Sequence, residues 1–86
     1  MQIVGAPSSM NTPGFFECEV VAGDPPYSFA ALPSPPNPPG FNPAITDLGG
    51  GRFRVDVPDG YSPGTVMHFV AGDSGGNTAG LAVTSN

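Results

Sequence analysis

The sequence predicts an all-β sandwich, and three observations carry that prediction. Several segments alternate apolar and polar residues with a period of two, the pattern of a strand with one buried and one wet face. Clusters of Gly, Pro, Asn and Asp separate these segments at intervals of about eight to twelve residues, the spacing of short sandwich strands. No segment combines a 3.6-residue apolar period with capping residues, so essentially no helix is expected.

Gln2–Val4 reads as a weak edge strand. In Phe15–Val21, FFECEVV, the apolar row is Phe16, Cys18 and Val20, and Glu17 and Glu19 face solvent. Cys18 is therefore expected to be a core thiol, small and inert. Tyr27–Leu32, YSFAAL, is a further strand. The segment that follows, 32–43, reads LPSPPNPPGFNP. Proline has no N–H for a ladder, so this stretch is excluded from a central strand. The expectation is a stiff, extended crossover along an end or edge of a sheet, blunting that edge. A PxxP ligand for an aromatic-grooved domain is the competing reading, but it usually carries a flanking basic residue and none is near. Arg52–Val57, RFRVDV, is the clearest strand, with Phe53, Val55 and Val57 on one face and Arg52, Arg54 and Asp56 on the other. It is bracketed by GGG at 49–51 and PDG at 58–60, both turn signals. Thr65–Ala71 and Thr78–Thr84 flank GDSGGN (72–77) and read as a β-hairpin.

The chain has 86 residues, enough for one small domain over 1–86. Its 13 glycines and 12 prolines would favour disorder, but 38% hydrophobic residues in alternating segments indicate a folded, loop-rich chain. Two arginines against seven acids give a net charge of −5. That balance disfavours nucleic acid and anionic membrane surfaces. Lysine is absent and charged residues make up 10%, so solubility rests on Ser, Thr, Asn and the backbone. A single cysteine excludes an internal disulfide and lacks the companions of a zinc site. The opening MQIVGAPSSM has neither the basic nor the apolar region of a secretory signal, and no apolar run approaches the length of a membrane span.

Two stretches carry a family resemblance: GDPPYSFAAL (23–32), and GGRFRVDVPDGYSPGTVMHFVAGDSGGNTAGLAVTS (50–85). Pro25-Pro26-Tyr27, Asp73-Ser74, Gly76-Asn77-Thr78-Ala79 and Val83 resemble, in that order, bacterial and phage immunoglobulin-like modules over about residues 14–85. The resemblance implies an immunoglobulin-like antiparallel β-sandwich with a Pro-rich crossover. It further implies a role in spacing, display or adhesion, with no catalytic residues to transfer. The Pro-rich segment stands where the family usually has L-P-x-G-L.

GDSGG also surrounds the nucleophilic serine of chymotrypsin-like proteases. That chemistry needs a histidine base, an orienting acid and oxyanion donors, on a fold of two β-barrels. The single histidine, His68, lies on the strand leading into the turn, roughly 20 Å from Ser74 if the chain between them is extended. Position 77 is Asn, where the protease string usually continues with Pro. The segment is read as a hairpin turn in which Asp73 and Asn77 cap backbone amides and glycines supply positive φ. His68 is read as a half-exposed strand residue. No D-x-D-x-D-G calcium run exists, and Gly49–Gly51 lacks the following Lys-Ser/Thr of a phosphate loop. A calcium site shared across loops, with Asp59 and Asp73 as its candidate acids, is the remaining metal reading. Arg52 and Arg54 read as a solvated strand face, with contact to a partner's carboxylate as the alternative.

The functional expectation is a non-enzymatic structural module with no cofactor. Its setting is a virion surface, as a phage capsid decoration or tail-associated protein, because Met1 opens the chain without an export signal and the chain stops just after its last strand. The alternative is one repeat of a bacterial cell-surface adhesin. The expected partner is a protein, either a capsid or tail protein or a neighbouring immunoglobulin-like module. A cell-surface glycan is weakened by the absence of Trp. Contacts are expected on the loops at Pro33, Pro36, Pro39, Phe41, Tyr61 and Pro63, since binding residues concentrate on loops held by a rigid scaffold.

Overall fold

Alternation along the sequence becomes two layers in space. The computed structural model describes residues 1–86 and contains eight strands and no helix. They are β1 (Gln2–Val4), β2 (Ser9–Met10), β3 (Gly14–Val21), β4 (Ser28–Ala31), β5 (Ala44–Gly49), β6 (Arg52–Val57), β7 (Val66–Gly72) and β8 (Thr78–Ser85). One sheet has the order β1-β3-β6-β5 and the other β2-β8-β7-β4. All pairs are antiparallel except β2 with β8, which run parallel through Ser9↔Thr84 and Met10↔Ser85. The expectation of a purely antiparallel sandwich is corrected there. The N-terminal segment pairs first with β3 and then, after Gly5–Ser8, crosses to the other sheet.

The buried rows are those that the period of two predicts. Phe16, Cys18 and Val20 of β3 meet Phe53, Val55 and Val57 of β6 on the inner face of the first sheet. Phe29, Met67, Phe69, Ala71 and Val83 line the inner face of the second. The two layers interlock through rings: Phe69 meets Phe16 edge-on at 5.5 Å and Phe29 stacked at 5.7 Å, and Phe29 stacks on Phe53 at 5.5 Å. Such pairs add about 0.5–1.5 kcal/mol each beyond the area they bury.

Outside the core the two sheets differ. The outer face of the first carries Glu17, Glu19, Arg52, Arg54 and Asp56. Arg52 pairs with Glu17 at 3.3 Å and Arg54 with Asp56 at 3.1 Å, and the Arg54 guanidinium lies 3.9 Å over the Phe15 ring. These exposed ion pairs contribute about 0–1 kcal/mol each. The outer face of the second sheet has no charged residue in its strands; half-exposed His68 stands there opposite Ala82.

Burial acts on Cys18 as the alternation implies. The thiol is 5% exposed, and desolvation lifts its pKa from 9.0 to about 11. At pH 8, the native thiol should react with a disulfide reagent about 100-fold more slowly than the unfolded chain, from its thiolate fraction alone. Because the folded pKa is the higher one, stability should hold below pH 9 and fall as pH rises from 9 toward 11. A denaturation midpoint that does not change across that window would contradict this.

The Pro-rich connection links β4 of one sheet to β5 of the other, as a crossover. It is turned rather than extended, which corrects the expectation of a stiff, extended crossover. The Asn37 amide donates to Pro33 O at 3.3 Å and the Phe41 amide to Pro38 O at 3.1 Å. The cause is Asn37, buried to 3% exposure. Its Oδ1 accepts the His68 N–H at 2.7 Å, and its Nδ2 donates to His68 O at 2.9 Å and Leu32 O at 2.7 Å. The amide stands where β4 has ended, and it satisfies the backbone of β7 as a further strand residue would.

Candidate functional site

The strand directions sort the loops into two ends. The 22–27 loop, the 50–51 turn and the 73–77 turn share one end; the Pro-rich crossover and residues 58–65 share the other.

At the first end the GDSGGN turn is organised by one carboxylate. Asp73 Oδ1 accepts the Gly75 and Asn77 amides at 3.0 and 2.9 Å, and Oδ2 accepts the Asp24 amide and Asn77 Nδ2, both at 3.1 Å. Gly76 takes φ +84, a conformation open to glycine. The capping role read for Asp73 is present; Asn77 takes part through its own amides and its carbonyl, which accepts the Asp73 amide at 3.1 Å. Four donors hold the Asp73 charge, the Asp24 amide foremost and the Asn77 side chain next, and its pKa falls from 3.8 to about 2. A depressed carboxylate stabilises the fold above its unfolded pKa and loses that contribution as pH falls toward 2. An NMR titration should therefore place the Asp73 carboxyl midpoint near 2. In Asn77→Ala that midpoint should move upward.

Ser74 does not contact His68. Its hydroxyl proton is shared between Asp24 O at 3.0 Å and Pro25 O at 3.1 Å, and its amide donates to Asp24 O at 2.9 Å. The serine clips the 73–77 turn to the 22–27 loop.

Beside this clip lies a cleft of about 300 Å³, lined by Pro25, Pro26, Tyr27, Asp47, Phe53 and the Gly49–Gly51 backbone. Each wall has a local cause. The Tyr27 hydroxyl donates to Gly23 O at 2.8 Å and accepts the Gly23 amide at 3.2 Å, fixing the ring across its own loop. Gly51, at φ +83, comes so close that an added Cβ would lie 2.7 Å from Val20 O and 3.1 Å from the Tyr27 ring. Its carbonyl accepts the Val20 amide at 2.8 Å, which seats the turn on β3. Asp47 Oδ1 accepts the Gly49 amide at 2.8 Å, so the carboxylate is held at the rim. Phe53, a core ring, forms part of the floor. The cleft thus opens between the two sheets next to β5, which has β6 on one side and no strand on the other.

The loop residues expected to meet a partner all fall at the opposite end. Pro33, Pro36, Pro39 and Pro63 are exposed, whereas Phe41 and Tyr61 are half-buried. Their rings meet edge-on at 5.6 Å, and Phe41 also meets Phe69 at 5.9 Å, so both extend the core. Asp59 lies at this end and Asp73 at the other, so the structure does not bring those two acids together for calcium. No group of three or more His, Cys, Asp or Glu side chains is placed to hold a metal ion. Sequence reasoning missed the cleft; its signal was Tyr27 after two prolines, read as the start of a strand, and a triple glycine, read only as a turn. No family model, curated protein or solved structure matches the chain.

Proposed function

We propose that the chain is an immunoglobulin-like module with a structural or display role on an exterior surface, in the first instance that of a virus particle. The observation that carries the fold reading is the strand order. An immunoglobulin-type sandwich joins strands A, B, E and D in one sheet and C, F and G in the other. The order β1-β3-β6-β5 and β8-β7-β4 follows that scheme, with β2 as a split continuation of the first strand. The display role is supported by what the side chains do. Ser74 acts as a clip, Asp73 as a turn organiser, and the rings of Phe41 and Tyr61 as packing. The absence of lysine and the low charge suit an extracellular or virion surface.

One observation favours the second reading, a repeat of a cell-surface adhesin. Met1 lies beside Gly23 at one end of the sandwich and the Asn86 side chain donates to Asn11 Oδ1 at the other. Tandem modules are joined in that way. An antibody against the folded chain tests both readings on fractionated material from its source. Label on purified particles supports the virion role, and label on the cell envelope supports the adhesin. Label confined to soluble cytosol contradicts both. A hydrolase activity abolished by Ser74→Ala would overturn the non-enzymatic reading.

A further inference from the structure

We infer that the cleft between residues 25–27 and 49–51 is a seat for an arginine side chain of a partner polypeptide. The inference rests on the structural or display reading above and names the chemistry of the partner. The floor is apolar and aromatic, supplied by Tyr27, Phe53 and the two prolines, and it suits the aliphatic stem of one long side chain. The single charge on the lining is the Asp47 carboxylate, already oriented by the Gly49 amide, and no base lines the cleft to receive an anion. The neighbouring turns add Asp24 and Asp73 and neither Lys nor Arg, and Arg52, next after the Gly51 wall, is paired with Glu17 on the outer face. Aromatic walls and a fixed carboxylate in one cleft suit a planar guanidinium, which can pack on the first and pair with the second, better than a compact ammonium.

The backbone next to the cleft leaves a short edge for an extended partner. The outer edge of β5 is unpaired, and Ala44–Thr46 form a regular ladder with β6 before the bulge between Asp47 and Gly49 ends the register. A partner segment pairing with this edge would carry side chains past the mouth of the cleft.

The test is a titration of the ¹⁵N-labelled full chain with acetyl-Val-Arg-Val-amide and with the same peptide bearing citrulline, which keeps the shape of arginine and loses its charge. The arginine peptide should give saturable shifts confined to Tyr27, Asp47–Gly51 and Phe53, with Kd of about 1–10 mM for so small a ligand. The citrulline peptide should bind about fivefold more weakly or worse, and Asp47→Asn should lower the arginine peptide to that level. Asp59→Asn, at the far end, should change nothing. The spectrum of each variant reports its fold directly. Equal binding of the two peptides, undiminished binding to Asp47→Asn, shifts spread over Asp24, Asp59 and Asp73, or no saturable shift by about 20 mM would each overturn the inference. None of these outcomes bears on where the protein is found, so the module reading is tested separately.

Discussion

Asn37→Ala is expected to lower the unfolding free energy by about 3 kcal/mol, since it strips partners from buried backbone groups. Asn37 Oδ1 is the hydrogen-bond acceptor for the His68 amide, and its Nδ2 bridges the Leu32 and His68 carbonyls. His68 O keeps the Leu32 amide at 3.1 Å, so the orphaned groups are chiefly the His68 N–H and Leu32 O. The residues around Asn37 cannot substitute, because Pro35, Pro36, Pro38 and Pro39 have no N–H to offer. Asn37→Asp sharpens the test. A carboxylate still accepts from His68 but faces two carbonyl oxygens with no donor, so it should destabilise more than alanine at neutral pH. Its folded pKa should be raised, and part of the loss should return on acidification as the protonated acid donates. Equilibrium urea unfolding of both variants checks this. An alanine variant within about 0.5 kcal/mol of the native chain would show that the crossover is not pinned by this side chain.

Phe69→Ala should be the most damaging core change. Phe69 is 1% exposed and touches Phe16, Phe29 and Phe41, so it joins both sheets and the Pro-rich crossover. Truncating a buried phenylalanine costs about 3–5 kcal/mol. A chain of 86 residues has in total about 4–13 kcal/mol of stability, so the variant should lose from about a quarter of it to all of it, with a correspondingly large fall in Tm. Phe15→Ala is the contrast. That ring is 54% exposed and lies under the Arg54 guanidinium on the outer face. Its loss should cost about 0.5–1 kcal/mol. Thermal unfolding followed by near-ultraviolet circular dichroism distinguishes the two, and equal effects would mean that the aromatic stack is not the centre of the core.

What was legible in the sequence follows from how local each cause is. The strands at Phe15–Val21 and Arg52–Val57 announce themselves because each has three consecutive inward positions filled by apolar side chains. The hairpin around GDSGGN is legible because its turn chemistry is contained in six residues. β5 is not, because it is an edge strand with Ile45 alone half-buried and every other residue exposed, which leaves nothing to alternate. β2 is two residues long, and its parallel register with Ser85 depends on a pairing partner more than seventy positions away. The Pro-rich stretch reads as extended because proline itself favours that state; the departure comes from one asparagine whose partners lie on another strand. The cleft was hidden for the same reason. Locally Tyr27 opens a strand and Gly51 closes a turn, and only the close approach of Gly51 to Val20 and the Tyr27 ring makes a wall of them. The exposed prolines at the far end were visible as loop residues, but nothing local distinguishes an exposed ring from one folded back onto Phe69.

The two-layer arrangement, with the N-terminal segment divided between the layers, is tested most directly by interstrand NOEs. The fold predicts antiparallel contacts of Ile3 with Val20, parallel contacts of Met10 with Ser85, and ring-to-ring contacts between Phe29 and Phe53 across the core. If residues 2–10 instead pair continuously with one sheet, or the Phe29 and Phe53 rings show no contact, this account of the sandwich is wrong.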